Sequence, residues 1–246
     1  KTVRDAEAIF DVIKGKDPRD ATSVEYAARG KKQEKAVIGV IKGFGGEGVD
    51  ADVKKTFERA VETLREAGHT IKEISLPHER FALAAYYILV PAEVSANLAR
   101  FDGVRYGLSK EGPTVADGYF KTRAHGFGAE VRRRIALGTY VLSAGYYDAY
   151  YVRASRVREL IRRDFKKAFE EVDCIVSPVS PAPAFKLGEK TNDPLAMYLE
   201  DIFLVPVNLA GIPALSLPYS TAERDGKKLP VGIQLMAPWF GEKILF

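Results

Sequence analysis

Cysteine is almost missing from this chain. Cys174 is the one thiol in 246 residues, which excludes an internal disulfide framework and a cysteine-rich metal site. Its place in the apolar run Cys174–Ile175–Val176 marks a buried, inert thiol. The lack of disulfides fits a reducing compartment, so a cytoplasmic location is expected. No run approaches the ~18 apolar residues of a membrane span, and the N-terminus lacks a charged-then-apolar leader pattern. His69, His78 and His125 do not have the spacing of metal ligands, so structural or surface roles are expected for them. The glycine-rich Gly43–Gly48 lacks the Lys-Ser/Thr ending of a phosphate loop and fits no dinucleotide fingerprint; it reads as a turn. A complete catalytic set is missing too. There is no Ser/His/Asp set in a recognisable context, and no paired carboxylates in a loop suited to acid/base work.

What is present suits an ordinary α/β protein. Apolar residues make up 46% and charged residues 28%, with a mild net charge of +4. Much of the basic character (Arg153, Arg156, Arg158, Arg162, Arg163, Lys166, Lys167) lies along one long helical stretch. A solvated helix face is the plainer reading of that stretch, and a nucleic-acid patch the sharper one.

Helical periodicity and short β-branched runs alternate along the chain. Thr2 caps a helix with Ala6, Ile9, Phe10 and Ile13 on one face, stopped at Gly15. A polar loop from Asp17 to Lys35 follows, then a strand at Ala36–Ile41. Asp50 caps a helix closed by Gly68, and a second strand runs near Ile71–Leu76, giving a βαβ unit. Helices are expected from about Ala82 to Ala99 (with Pro91 inside), Phe127 to Leu142, Tyr146 to Val172 and from Leu195. Strands are expected at Cys174–Ser177, Ala214–Pro218 and Val231–Met236. Both ends read as cut inside larger structure.

Two charges stand where helical geometry implies burial. Val131, Ile135, Gly138 and Leu142 share one stripe, and among three consecutive arginines Arg134 lies closest to it, about 60° from its centre. A guanidinium at the edge of a buried face needs an anion and suits a carboxylate. A structural ion pair and a ligand contact both satisfy that need. Asp201 lies in Leu195–Pro206, whose wheel has no polar face, so a buried or cleft-lining acid is expected. Again a structural salt bridge and a ligand contact are both open. One buried arginine with one buried aspartate would match a zwitterionic amino acid.

Several segments carry a resemblance. Val3–Ala6 and Asp17–Ser23 resemble the segment that follows the serine-rich signature of amidase-signature enzymes. Ser95–Gly107, Arg133–Thr139, Gly145–Tyr151 and Pro206–Pro213 resemble the branch of that family serving as A subunits of tRNA-dependent amidotransferases. The match runs through essentially the whole chain. The resemblance implies an α/β/α sandwich around a mixed sheet, of which residues 1–246 form the C-terminal portion of a single domain. It implies glutamine as substrate and ammonia passed to a B subunit, where ATP-activated, tRNA-bound glutamate is amidated. A C subunit is also implied, tRNA(Gln) engaged through the complex, and no cofactor in this polypeptide. By resemblance Arg134 grips the glutamine carboxylate, Asp201 its ammonium group, and Tyr86 sits near the amide. The family's catalytic lysine and two serines lie upstream of the residues matching Lys1. A stand-alone hydrolase of another amide, or a non-catalytic assembly module, are the competing readings.

Overall fold

The computed structural model describes residues 2–25, 27, 34–43 and 48–246. By backbone contact the chain forms two compact units, Lys1–Leu83 with Glu159–Phe246, and Ala84–Arg158. The expected polar loop and the glycine-rich turn fall partly outside the described residues.

The first unit is built on a sheet. Its strands are β1 (Val37–Ile41), β2 (Thr70–Ile74), β3 (Cys174–Pro178), β4 (Ala214–Arg224) and β5 (Lys227–Met236). The order is β2-β1-β3-β5-β4. β1 runs parallel to both β2 and β3, while β5 is antiparallel to β3 and β4, so the sheet is mixed as expected. All five residues of β3 are buried, as befits the central strand of the five, flanked by β1 on one edge and β5 on the other. Helix α1 (Val3–Ile13) precedes the sheet, with a capping box between Thr2 and Asp5. Helix α2 (Ala51–Glu66) links β1 to β2, and its N-cap Asp50 accepts from Asp52 N. Phe57 and Ala60 of α2 pack with Ile38, Cys174, Val176 and Ile233 in one core cluster. The β4–β5 hairpin turns on Asp225 (φ 53°) and Gly226 (φ 70°), the left-handed pair that a two-residue turn demands.

The second unit is helical. Helix α3 (Ala82–Leu98) carries Pro91 inside it, and α4 (Val115–Gly126) and α5 (Ala129–Val141) follow. A π-helical stretch, Tyr147–Val152, leads into α6 (Arg153–Ala168), whose residues from Glu159 onward belong to the first unit. α4 was not expected from periodicity, although Thr114 and Asp117 form a capping box at its start. The stretch Glu79–Leu98 is long and apolar enough, by length and composition alone, to cross a membrane. That corrects the expectation that no run approaches membrane length: an averaged hydropathy tolerates an interspersed charge such as Glu93, and a count of uninterrupted apolar residues does not. Ala85, Leu89 and Ala92 of this helix are buried at helical spacing, the pattern of a core helix.

α3 and α5 cross very closely. A Cβ added at Gly138 would lie 1.9 Å from the carbonyl oxygen of Pro91, so only glycine permits the approach. Beside it, the hydroxyls of Ser95 and Thr139 share a 2.9 Å hydrogen bond. The long loop after α3 is tied down by α4: Lys110 N donates to Thr122 Oγ1, and Arg123 Nη1 donates to the carbonyls of Leu98 and Phe101.

The remaining elements belong to the first unit: α7 (Pro194–Leu199), α8 (Val205–Ala210) and α9 (Glu242–Leu245). The single helix expected from Leu195 is therefore two short ones. Glu200, Asp201 and Ile202 donate their amides only three residues back, to Met197, Tyr198 and Leu199, which tightens the chain into turns. Pro206 falls in the first turn of α8, where its missing N–H costs nothing.

Candidate functional site

Arg134 stands on the buried stripe of α5. Val131, Arg134 and Ile135 are half-buried and Gly138 and Val141 buried, while Arg132 and Arg133 are exposed. Arg134 is thus the least exposed of the three arginines, as the wheel expects, although the stripe ends on Val141 and leaves Leu142 36% exposed. Arg134 Nε donates to Glu130 Oε1 at 2.9 Å, one turn earlier, and Arg133 takes the other oxygen of the same carboxylate at 2.6 Å. The guanidinium of Arg134 lies over the ring of Tyr87, 5.9 Å from its centroid. Tyr87 in turn meets Tyr86 edge-on at 5.2 Å. Tyr86 and Arg134, 48 positions apart, are therefore joined through one ring within the second unit. A planar cation held between a carboxylate and an aromatic face is oriented rather than free to swing, which suits recognition of a planar anion.

Asp201 belongs to the first unit and corrects part of the expectation. It is exposed, as are Leu195, Met197, Leu199 and Ile202, so the segment is not buried all round. The wheel failed because the helix it assumed stops at Leu199. The cleft-lining alternative holds. Asp201 lines a cavity of about 440 Å³ together with Glu200, Leu204, Ser180, Ser216 and Gly232, among others.

The turn carrying Asp201 is fixed by side chains that sequence reasoning passed over. Gln234 of β5, 3% exposed, donates from Nε2 to Ser177 Oγ at 3.0 Å and to the Phe203 carbonyl at 3.2 Å. Ser180 Oγ donates to Glu200 Oε2 at 3.1 Å, and Lys190 pairs with Glu200 Oε1. The one available signal was a glutamine and a serine inside otherwise apolar strands, since a buried polar group must find partners.

A second cavity in the same unit, about 610 Å³, lies at the carboxyl ends of β1 and β2. Ile41, Lys42, Leu76, Glu79, Ile202 and Phe203 are among its lining residues. Burial pushes the Glu79 carboxyl up to about 7. Ionisable groups elsewhere serve structure. His69 Nδ1 accepts from Ala36 N at the start of β1, and the His78 ring meets Asp164 at 3.0 Å. His125 is exposed. Burial pushes the Cys174 thiol up to about 12, so it is a packing residue. Among the described residues no group of three His, Cys, Asp or Glu is placed to hold a metal ion.

Comparison with known proteins sets these features in a family. A family model described as Amidase matches residues 1–246. A protein named as the A subunit of glutamyl-tRNA(Gln) amidotransferase, from Koribacter versatilis, is 53% identical over 98% of this chain and 51% of its own length. One of the same name from Acidobacterium capsulatum is 54% identical over 98% of the chain and 52% of its own. The crystal structure of the glutamyl-tRNA(Gln) amidotransferase A subunit from Thermotoga maritima superposes with a TM-score of 0.74 at 34% identity, covering 99% of this chain and 49% of that one. The chain thus spans about half the length of the relatives it matches.

Proposed function

The chain belongs to the amidase family, and from that premise we propose that it is the glutamine-binding, C-terminal half of the glutaminase component in a tRNA-dependent amidotransferase. The complete enzyme converts Glu-tRNA(Gln) to Gln-tRNA(Gln). What supports this reading most is identity of about half the residues, along the whole chain, with proteins that carry the amidotransferase A-subunit name.

In this reading Arg134 binds the carboxylate of glutamine, with Glu130 and Tyr87 holding the guanidinium in plane. Asp201 takes the ammonium group at the 440 Å³ cavity, and Tyr86 borders the amide. The upstream half supplies a lysine and two serines. One serine attacks the side-chain amide and releases ammonia, and water then frees glutamate. Ammonia passes to the B subunit, which uses ATP, while the C subunit completes the assembly and tRNA(Gln) is engaged through the complex. The glutaminase polypeptide takes no cofactor, and the complex works in the cytoplasm. Two binding charges without a nucleophile provide no covalent route, so this chain alone is inactive.

The test uses the complete amidotransferase carrying Arg134→Lys. The substituted ammonium retains charge but loses the planar fork, so kcat/KM for glutamine should fall by roughly 10- to 100-fold, equivalent to about 1.5–3 kcal/mol. An unchanged value returns Arg134 to a structural role beside Glu130 and Tyr87. Ammonia release from glutamine by this chain alone, above a heat-killed control, would overturn the assignment of the chemistry to the other half.

A further inference from the structure

Glu200 and Asp201 are adjacent in sequence and line the same cavity. Both oxygens of Glu200 are engaged: Oε2 accepts from Ser180 Oγ at 3.1 Å, and Oε1 faces the Lys190 ammonium. The Lys190 and Glu200 side chains are only 21% and 16% exposed, so the pair is largely out of water. Lys190 also lies over the ring of Phe185, 4.8 Å from its centroid. Phe185 lines both the Asp201 cavity and a neighbouring one that Lys190 itself lines. A lysine cation therefore sits at the partition beside the cavity that Asp201 faces.

That placement raises an electrostatic difficulty. A cation in a poorly hydrated wall repels any second cation nearby and offers Asp201 a competing partner. We propose that Glu200 is a charge-masking, positioning residue. It neutralises Lys190 and holds it off, so that the cavity beside Asp201 accepts the ammonium group of an amino-acid substrate. The inference rests on the reading of Asp201 as the ammonium site. Ser180 aims the mask by occupying the carboxylate oxygen that Lys190 does not use. A simple structural latch between the Lys190 loop and the Asp201 turn would use the same contacts, but it predicts different mutant behaviour.

The experiment measures glutamine-dependent ammonia release by the complete amidotransferase. Glu200→Gln keeps the shape and unmasks Lys190. KM for glutamine should rise roughly tenfold with kcat little changed, and the defect should shrink as salt screens the exposed cation. Adding Lys190→Met to Glu200→Gln removes the unmasked charge and should return KM to within about twofold of the parent. An unchanged KM in Glu200→Gln, or a double variant no better than the single, overturns the proposal. Should Glu200→Gln fail to fold, the exchanged pair Glu200→Lys with Lys190→Glu decides instead. It preserves a latch but moves the cation next to Asp201, so masking requires a raised KM and an unchanged KM refutes it. Asp201→Asn is measured alongside. If it leaves KM unchanged, the ammonium-site reading itself falls and takes this inference with it. If it raises KM while Glu200→Gln does not, the masking role alone is overturned.

Discussion

The sheet unit and the helical unit hold themselves together by different means. In the first, large β-branched and aromatic side chains fill the interior: Ile161, Phe165, Ile175 and Val176 are all 1% exposed or less. In the second, six apolar side chains are buried among the described residues, Ala85, Leu89, Pro91, Ala92, Val141 and Ala154, and three of these are alanines. Much of its remaining apolar surface is open. Tyr140, Tyr146, Tyr147 and Tyr150 are each at least 40% exposed, and Tyr140 and Tyr146 lie ring against ring at 4.3 Å. A sheet presents a broad face on which big side chains interlock. Helices crossing at a glycine gain their contact from backbone proximity, and polar ties such as Thr122–Lys110 and Arg123–Phe101 hold the loops. Shape at a few positions therefore matters in the second unit as volume matters in the first.

Three substitutions would break or sharpen that contrast. Ile175→Ala should have the largest effect, about 4 kcal/mol in denaturant unfolding, because a fully buried β3 side chain would leave a cavity amid close neighbours. Those neighbours are close indeed: a Cβ at Gly39 would lie within 3.3 Å of Ile74, Val172 and Ile175 atoms. Gly138→Ala should come next, at about 3 kcal/mol, by forcing α3 and α5 apart at Pro91. Hydrogen exchange should place its effect in Ala84–Arg158. Fast exchange confined to the sheet in that variant would erase the distinction between the units.

Glu79→Gln has the smallest effect and a sign set by pH. The Glu79 carboxyl titrates near 7 in the fold against 4.5 as its ordinary value. Folding therefore favours the protonated form, and the stability that this group contributes is complete below about 4.5 and lost as pH rises through about 7. Replacing it with neutral glutamine should leave stability near pH 4 unchanged and raise it by about 2 kcal/mol at pH 8, once partial exposure is discounted. Melting curves at the two pH values decide, and an equal shift at both would contradict burial as the cause.

Local signals were enough for much of this molecule. The capped first helix, the βαβ unit of β1, α2 and β2, and the buried run of β3 follow from periodicity and capping chemistry, which act over a few residues. Arg134 was separable from Arg132 and Arg133 because they share one helix, where a fixed rotation per residue sorts neighbours by face. Two further signals were present but passed over: the Thr114–Asp117 capping box that starts α4, and Asp225–Gly226, a two-residue hairpin turn. Asp201 failed differently. Its wheel presumed an unbroken helix, and nothing local in Leu195–Val205 announces the turn after Leu199.

The sequence by itself determined where elements begin, which faces are apolar and which charges stand out, since these depend on residues within a few positions of one another. Tertiary structure decided the rest. The break at Glu200 to Leu204 goes with a carbonyl held by Gln234, 31 positions away, and a carboxylate held by Ser180 and Lys190. Tyr86 meets Arg134 through Tyr87 because Gly138 lets α5 close on Pro91 of α3. Such pairings join residues far apart along the chain. Their free energy depends on distances that exist only after folding, so no periodicity along the sequence encodes them.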